Sequence, residues 1–222
     1  MTTRPRALIF DWDNTLVDSW PVIHDALNTT YRAFGHREWT LDETRANVRE
    51  SVRDRFPKIF GDEWQAAADV FYKRYSVIHA DAIRPTAGAA ELLENLAREG
   101  FYLSIVSNKR GDYLRKEAKA LGWHRHFSAM IGALDAERDK PDPAPVLMAL
   151  EPGDHKPGAH VWFVGDADID LTCAVNSGCI PVLVRPEAPA DGEFPEHPPH
   201  HYFGDCQSLC KFLQTMYSPS LE

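Results

Sequence analysis

Five short, largely apolar runs are spaced along the chain, and helical patterns lie between them. The runs are Ala7–Phe10, Phe101–Val106, Ser128–Ile131, His160–Val164 and Ile180–Val184. Several of the helical patterns end at a glycine, such as Gly100 or Gly122, a residue that suits the end of a helix. Alternation of strands with helices is typical of a parallel sheet covered by helices on both faces. The sequence therefore predicts an α/β protein with a Rossmann-like, three-layer core.

Residues 19–84 break this alternation, because they show helical periodicity but no convincing strand. Apolar residues recur there at helical spacing. They are Val22, Ala26, Tyr31 and Phe34 in one part, and Trp64, Ala68, Phe71 and Tyr75 in another. The pattern predicts a small all-helical cap domain over residues 19–84, inserted after the first strand. Residues 1–18 and 85–222 are expected to form the core, with residues 185–201, rich in proline and histidine, as an irregular loop.

Composition argues against several kinds of protein. The 222 residues are 44% hydrophobic and 26% charged, which is ordinary for a globular chain. Their apolar runs are far shorter than the roughly 20 residues that a membrane span needs. No signal peptide is evident before the first acidic residues, so we expect a cytoplasmic protein without a membrane partner. A net charge of −9 argues against nucleic acid as the main partner, and the oligomeric state stays open.

Polar side chains follow several of the predicted strands. Ligands of open α/β folds bind outside the carboxyl ends of the strands, so these side chains are expected to meet at one site. Asp11 and Asp13 follow the first strand, and two carboxylates two apart on extended chain point to the same side. One can attack as a nucleophile while the other moves protons. A strand-end turn with two solvated aspartates is the alternative.

The later segments suggest an anion site and a cation site. Ser107 offers a hydroxyl and backbone N–H groups suited to a phosphate oxygen, although a helix N-cap explains it as well. Lys140, followed by a proline, can hold a positive charge against a phosphate and a carboxylate. Asp166, Asp168 and Asp170 would repel one another unless a cation lies between them, and oxygen ligands suit Mg²⁺. A solvated first helical turn is the alternative here.

The order of the motifs DWDNT, SNK, DKPDP and GDADID resembles the haloacid dehalogenase-like superfamily, specifically its phosphatases of the phosphoglycolate phosphatase type. The resemblance covers essentially the whole chain, including a helical cap after the first motif. It implies that Asp11 is a nucleophile that forms an aspartyl-phosphate. It also implies that Asp13 is the acid and then the base, and that Lys140 steadies nucleophile and phosphate.

The resemblance further implies two sets of ligands. The residues expected to hold Mg²⁺ are Asp11, Asp13 through its backbone carbonyl, Asp166, and Asp170 in support. The residues expected around the phosphate are Asn14, Thr15, Ser107 and Asn108. Asn14 stands where the family usually has glycine, but asparagine tolerates a left-handed backbone. Trp12 replaces the usual phenylalanine and is expected to point into the core.

The implied activity is Mg²⁺-dependent hydrolysis of a small phosphorylated metabolite, either phosphoglycolate-like or a sugar phosphate. The dehalogenases and phosphonate hydrolases of the superfamily lack an acid at the position of Asp13. Two alternatives stay open, namely a phosphosugar mutase on the same scaffold and a non-catalytic binding protein. His24, Arg49 and Arg53 in the predicted cap are candidates for contact with the rest of the substrate. A packing or surface role is the alternative for each.

Overall fold

The computed structural model describes residues 4–217. Its strands are β1 (Ala7–Phe10), β2 (Val17–Asp18), β3 (Arg84–Pro85), β4 (Tyr102–Arg110), β5 (Ala129–Ala133), β6 (Val161–Gly165), β7 (Ile180–Val184) and β8 (His201–Phe203). Its α-helices are α1 (Trp20–Ala33), α2 (Leu41–Asn47), α3 (Val52–Phe60), α4 (Trp64–Ala82), α5 (Ala89–Arg98), α6 (Gly111–Ala120), α7 (Ala144–Leu150), α8 (Asp168–Asn176) and α9 (Cys206–Tyr217). Among the described residues, none of these helices is long and apolar enough to cross a membrane.

The main sheet is parallel, with six strands in the order β5–β4–β1–β6–β7–β8. Every residue of β1 and β6 is buried, as expected for strands that are covered on both faces. The predicted α/β class is therefore confirmed. β8 is not predictable from the sequence, because His201–Phe203 is too short and too polar to form an apolar run. It pairs with β7 at the edge of the sheet.

Alternate residues of β1 enter opposite layers of the core. Leu8 and Phe10 pack in one apolar cluster, with residues of α5, α6 and α9. Ala7 and Ile9 pack in another, with residues of α7 and α8. The sheet thus lies between two helical layers. Cys206 and Cys210 are buried in the first cluster as small core residues.

Helices α1 to α4 lie between β2 and β3, and we refer to residues 20–82 as the helical insertion. β2 and β3 pair antiparallel, so the chain leaves and rejoins the core at adjacent points. The insertion has an apolar cluster of its own, with several aromatic members such as Tyr31, Phe56 and Phe71. The boundaries of a separate cap domain at residues 19–84 stay a prediction.

The start of α5 has no side-chain cap. Thr86, three residues before it, donates through its hydroxyl to the backbone carbonyl of Thr15 at 2.8 Å. The helix begins after Gly88, whose φ is 79°. A Cβ at this position would lie 2.6 Å from the backbone nitrogen of Gln207, so both conformation and space require glycine.

Candidate active site

The segment after β1 presents two carboxylates on one side and an indole on the other. The backbone N–H of Asp11 donates to the Val164 carbonyl at 2.8 Å, which continues the pairing with β6. The chain then turns at Asn14, which has a left-handed φ of 63°. Asp11 is buried and Asp13 is partly buried. Trp12 points into the core, as predicted, and is fully buried there.

Lys140 connects the first motif to the last. Its Nζ lies 2.7 Å from Oδ1 of Asp11 and 2.7 Å from Oδ1 of Asp170. The lysine backbone is held by the side chain of Asn108, which accepts from the Lys140 N–H at 3.0 Å and donates to its carbonyl at 3.2 Å. The Asn108 amide therefore positions Lys140, a contact that the sequence analysis did not anticipate.

Asp170 and Asp166 are fixed by the first turn of α8. Oδ2 of Asp170 accepts from the backbone N–H groups of Asp166 and Ala167, each at 3.1 Å. Oδ1 of Asp166 accepts from the hydroxyl of Thr15 at 3.1 Å. Thr15 itself is buried, so its side chain holds Asp166 from the interior of the protein.

Burial, and then the crowding of carboxylates, raises the pKa values of Asp11 and Asp166. Burial raises the pKa of Asp11 to about 6, Lys140 opposes the shift, and Asp170 and Asp13 add to it. Burial also raises the pKa of Asp166 well above its usual range, with further contributions from Asp170 and Asp11. Without a cation, the site therefore resists the full ionisation of its carboxylates.

The donor set fits a hard cation. Asp11, Asp166 and Asp170 each offer one oxygen, and these three atoms lie within 4.8 Å of one another. Both oxygens of Asp170 already accept hydrogen bonds. Asp11 and Asp166 each use only Oδ1, and no described residue donates to Oδ2 of either. Carboxylate oxygens of this kind suit Mg²⁺, and Asp11 and Asp166 are the carboxylates free to ligate it.

One cleft is lined by the carboxyl ends of β1, β4 and β6 and by the helical insertion. Its volume is about 820 Å³, including the space at its open mouth. The cleft brings together most of the residues that the sequence singles out. They are Asp11, Asp13, Asn14, Arg49, Ser107, Asn108, Lys140, Asp166 and Asp170. Aromatic side chains of the insertion, among them Trp20, Tyr72 and Tyr75, form the opposite wall. A partly enclosed cleft with a few convergent charges is typical of a small-molecule site.

The three candidate residues of the insertion differ in position. Arg49 lines the cleft, and its Nε lies 3.4 Å from Oδ1 of Asp168. Arg53 pairs with buried Asp139 at 2.6 Å and does not line the cleft. His24 also lies outside it, with Nδ1 2.9 Å from the hydroxyl of Thr44 between α1 and α2.

The sequence analysis missed Lys109. Its side chain is 4% exposed, and Nζ lies 2.6 Å from Oδ1 of Asp13 and 2.6 Å from Oε2 of Glu117. Burial alone would lower the pKa of Lys109, but the negative charges of Asp13 and Glu117 raise it well above the usual range. A signal was present, because Lys109 directly follows Ser107 and Asn108, which the sequence singles out after a predicted strand.

Arg110, which also lines the cleft, was missed as well. Its guanidinium lies 4.5 Å from the ring centroids of Tyr72 and Tyr113 and pairs with Asp112. This stacking depends on α4 and α6 lying side by side, which no local pattern in the sequence reveals.

Comparison with known proteins agrees with this geometry. A phosphoglycolate phosphatase of Aquifex aeolicus is 30% identical over 174 residues, covering 78% of this chain and 81% of that protein. A pyrophosphatase of Listeria monocytogenes is 30% identical over 155 residues, covering 68% and 70%. The solved structure of a predicted phosphoglycolate phosphatase from Haemophilus somnus shares the fold, with a TM-score of 0.81, 23% identity and coverage of 96% and 99%. The family model for haloacid dehalogenase-like hydrolases matches residues 8–184, and the chain belongs to that family.

Proposed function

We propose that the protein is a Mg²⁺-dependent phosphatase that hydrolyses a small phosphorylated metabolite through an aspartyl-phosphate on Asp11. The observation that carries the proposal is the buried ammonium of Lys140, 2.7 Å from Asp11, beside the carboxylates of Asp166 and Asp170. Relatives named phosphoglycolate phosphatase and pyrophosphatase support a phosphorylated substrate. A phosphoglycolate-like compound or a sugar phosphate is the proposed substrate class.

In the first step, a carboxylate oxygen of Asp11 attacks phosphorus, and the bond from phosphorus to the leaving oxygen breaks. Asp13 gives its proton to that oxygen. In the second step, water attacks the phosphorus of the aspartyl-phosphate while Asp13 takes a proton from the water. Inorganic phosphate leaves and the Asp11 carboxylate is restored. Lys140 offsets the charge of nucleophile and phosphoryl group. Ser107, Asn108 and Asn14, which line the cleft, are the proposed surroundings of the phosphate, and buried Thr15 acts through its hydrogen bond to Asp166.

Asp11, Asp166 and the backbone carbonyl of Asp13 are the proposed ligands of Mg²⁺, with Asp170 in support. When bound, the ion would offset the negative charge of the phosphoryl oxygens and of Asp11. Asp170 has both oxygens engaged, by Lys140 and by backbone N–H groups, so its role is to orient its neighbours.

The helical insertion is the proposed cap domain. Its aromatic residues face the catalytic carboxylates across the cleft, where they would exclude bulk water from the reaction. Arg49 is its proposed contact with an anionic end of the substrate, since it lines the cleft and its ion-pair partner, Asp168, is largely exposed.

The test is phosphate release from a panel of phosphorylated metabolites, with Mg²⁺ and with EDTA. We expect release that requires Mg²⁺ and is abolished in Asp11→Asn. The matched control is Asp62→Asn, which makes the same change at an exposed position of the insertion and should leave release intact. Release by Asp11→Asn at the wild-type rate would contradict the proposal. Isomerisation of a bisphosphorylated sugar without free phosphate would identify a mutase instead.

A further inference from the structure

Glu117 on α6 is buried and accepts hydrogen bonds from both parts of the molecule. Within the core, Trp12 Nε1 donates to Oε2 at 2.8 Å and Lys109 Nζ donates to the same oxygen at 2.6 Å. From the helical insertion, the hydroxyl of Tyr75 donates to Oε1 at 3.0 Å, and Nδ1 of His79 lies 2.8 Å from it. The residue as a whole is 2% exposed, and an ion buried this deeply is costly unless its partners compensate.

The network ends at Asp13. Lys109 Nζ lies 2.6 Å from each of two carboxylate oxygens, one on Glu117 and one on Asp13. The ammonium also lies 5.3 Å from the ring centroid of Tyr75, which closes its third side. Asp13 is the more exposed of the two partners, with 18% of its side chain accessible against 1% for Glu117. The chain of contacts thus runs from a buried anchor to a group that faces the cleft.

We propose that Lys109, itself anchored by Glu117, is a positioning residue that holds the carboxylate of Asp13 in the orientation needed for proton transfer. This inference rests on the proposed function, in which Asp13 serves as acid and base. The ammonium of Lys109 pairs with Oδ1 of Asp13. The other carboxylate oxygen of Asp13 is left to exchange the proton with the leaving group or with water.

Each residue of the network contributes to holding Asp13. A lysine has a long, flexible stem and holds a partner firmly only if it is itself held. Glu117 supplies that hold, and its charge cancels that of the ammonium. Lys109 therefore stays paired with Asp13 without adding a net charge beside it. Tyr75 and His79 bring α4 into the same network, so the orientation of Asp13 also depends on the insertion being in place.

The test compares Lys109→Met with wild type in single-turnover experiments that follow formation of the aspartyl-phosphate. Two substrates are used, an alkyl phosphate, whose leaving oxygen needs a proton, and p-nitrophenyl phosphate, whose leaving group departs without one. Loss of a positioned acid predicts a fall of about 100-fold with the alkyl ester and of less than about 5-fold with the aryl ester. Lys116→Met, the same change at an exposed position of α6, is the control and should match wild type.

A double-mutant cycle with Asp13→Asn separates positioning from general damage. If Lys109 acts through Asp13, Lys109→Met has no further effect on the alkyl ester in the Asp13→Asn background. Equal losses with both esters, or the same loss in both backgrounds, would overturn the inference. If Lys109→Met alone fails to fold, the double variant can still be compared with Asp13→Asn. It has only one carboxylate, that of Glu117, beside the missing ammonium group. A wild-type protein that releases no phosphate would instead contradict the proposed function.

Discussion

Asp11 is a buried carboxylate next to other carboxylates, and this arrangement makes its ionisation unfavourable when no cation is bound. Burial, with Asp170 and Asp13, raises its pKa from 3.8 to about 6. A group whose folded-state pKa is raised stabilises the protein most below its unfolded pKa, and that stability is lost as the pH rises through the folded pKa. The metal-free protein therefore loses stability between about pH 4 and pH 6 on account of this residue.

Asp11→Asn removes the ionisation and should stabilise the metal-free protein while abolishing catalysis. We expect the free energy of unfolding in EDTA at pH 8 to rise by about 1–3 kcal/mol. The gain should shrink as the pH falls below about 6 and vanish below about 4, where wild-type Asp11 is protonated in both states. Urea denaturation at these pH values measures it. A gain that is larger at pH 4 than at pH 8 would show that the cause is different.

Single residues also show how far a sequence predicts a site. Asp11, Lys140 and Asp166 were predicted from their places after strands, and all line the one cleft. The contacts of Asn108 and Lys109 could not be predicted in this way. Asn108 bonds to a backbone group that lies 32 residues away in the chain. Glu117, the partner of Lys109, looks in the sequence like any acidic residue of a helix, and its role follows only from its burial.

At the scale of elements, α3 meets the loop before α7 through one ion pair. Arg53 Nη2 lies 2.6 Å from Oδ1 of Asp139, whose side chain is 1% exposed while that of Arg53 is 31% exposed. Asp139 also accepts from the backbone N–H of Leu134 at 3.2 Å. The contact joins the insertion to the segment that carries Lys140, so it stabilises both the site and the junction.

Replacing Arg53 should lower the free energy of unfolding more than neutralising Asp139 does. Arg53→Met leaves a buried carboxylate unpaired, and we expect the free energy of unfolding to fall by about 2–3 kcal/mol. Asp139→Asn keeps an acceptor for Leu134 and should cost about 1 kcal/mol. Arg45→Met, at an exposed pair with Asp42, is the control and should cost less than about 0.5 kcal/mol. Equal losses at Arg53 and Arg45 in urea denaturation would contradict this ranking.

Elements with strong local patterns were predicted well, and those set by pairing were not. β1 and β7 have the predicted bounds, because each is a continuous apolar run. β4 continues four residues beyond Val106, into a polar stretch that pairing with β5 keeps extended. β2, β3 and β8 have two or three residues each, too few for any periodicity to show.

For the molecule as a whole, the stability should depend on Mg²⁺. The proposed ligands come from the segments that follow β1 and β6, so bound Mg²⁺ would favour the folded state by mass action. We expect millimolar Mg²⁺ at pH 8 to raise the thermal midpoint by a few degrees, roughly the effect of 1 kcal/mol in a protein of this size. Asp166→Asn should abolish the shift, and Asp62→Asn should retain it. A shift of the same size in Asp166→Asn would place the ion elsewhere.

The anchoring of Glu117 has a consequence for protein engineering. Exchanging the helical insertion between members of a fold family is an obvious route to new substrate preferences. In this chain, however, Tyr75 and His79 of the insertion satisfy a carboxylate that belongs to the core. A foreign insertion with apolar residues at those two positions would leave the buried Oε1 of Glu117 without its donors. A working chimera would have to carry both donors across, or replace Glu117 together with its lysine.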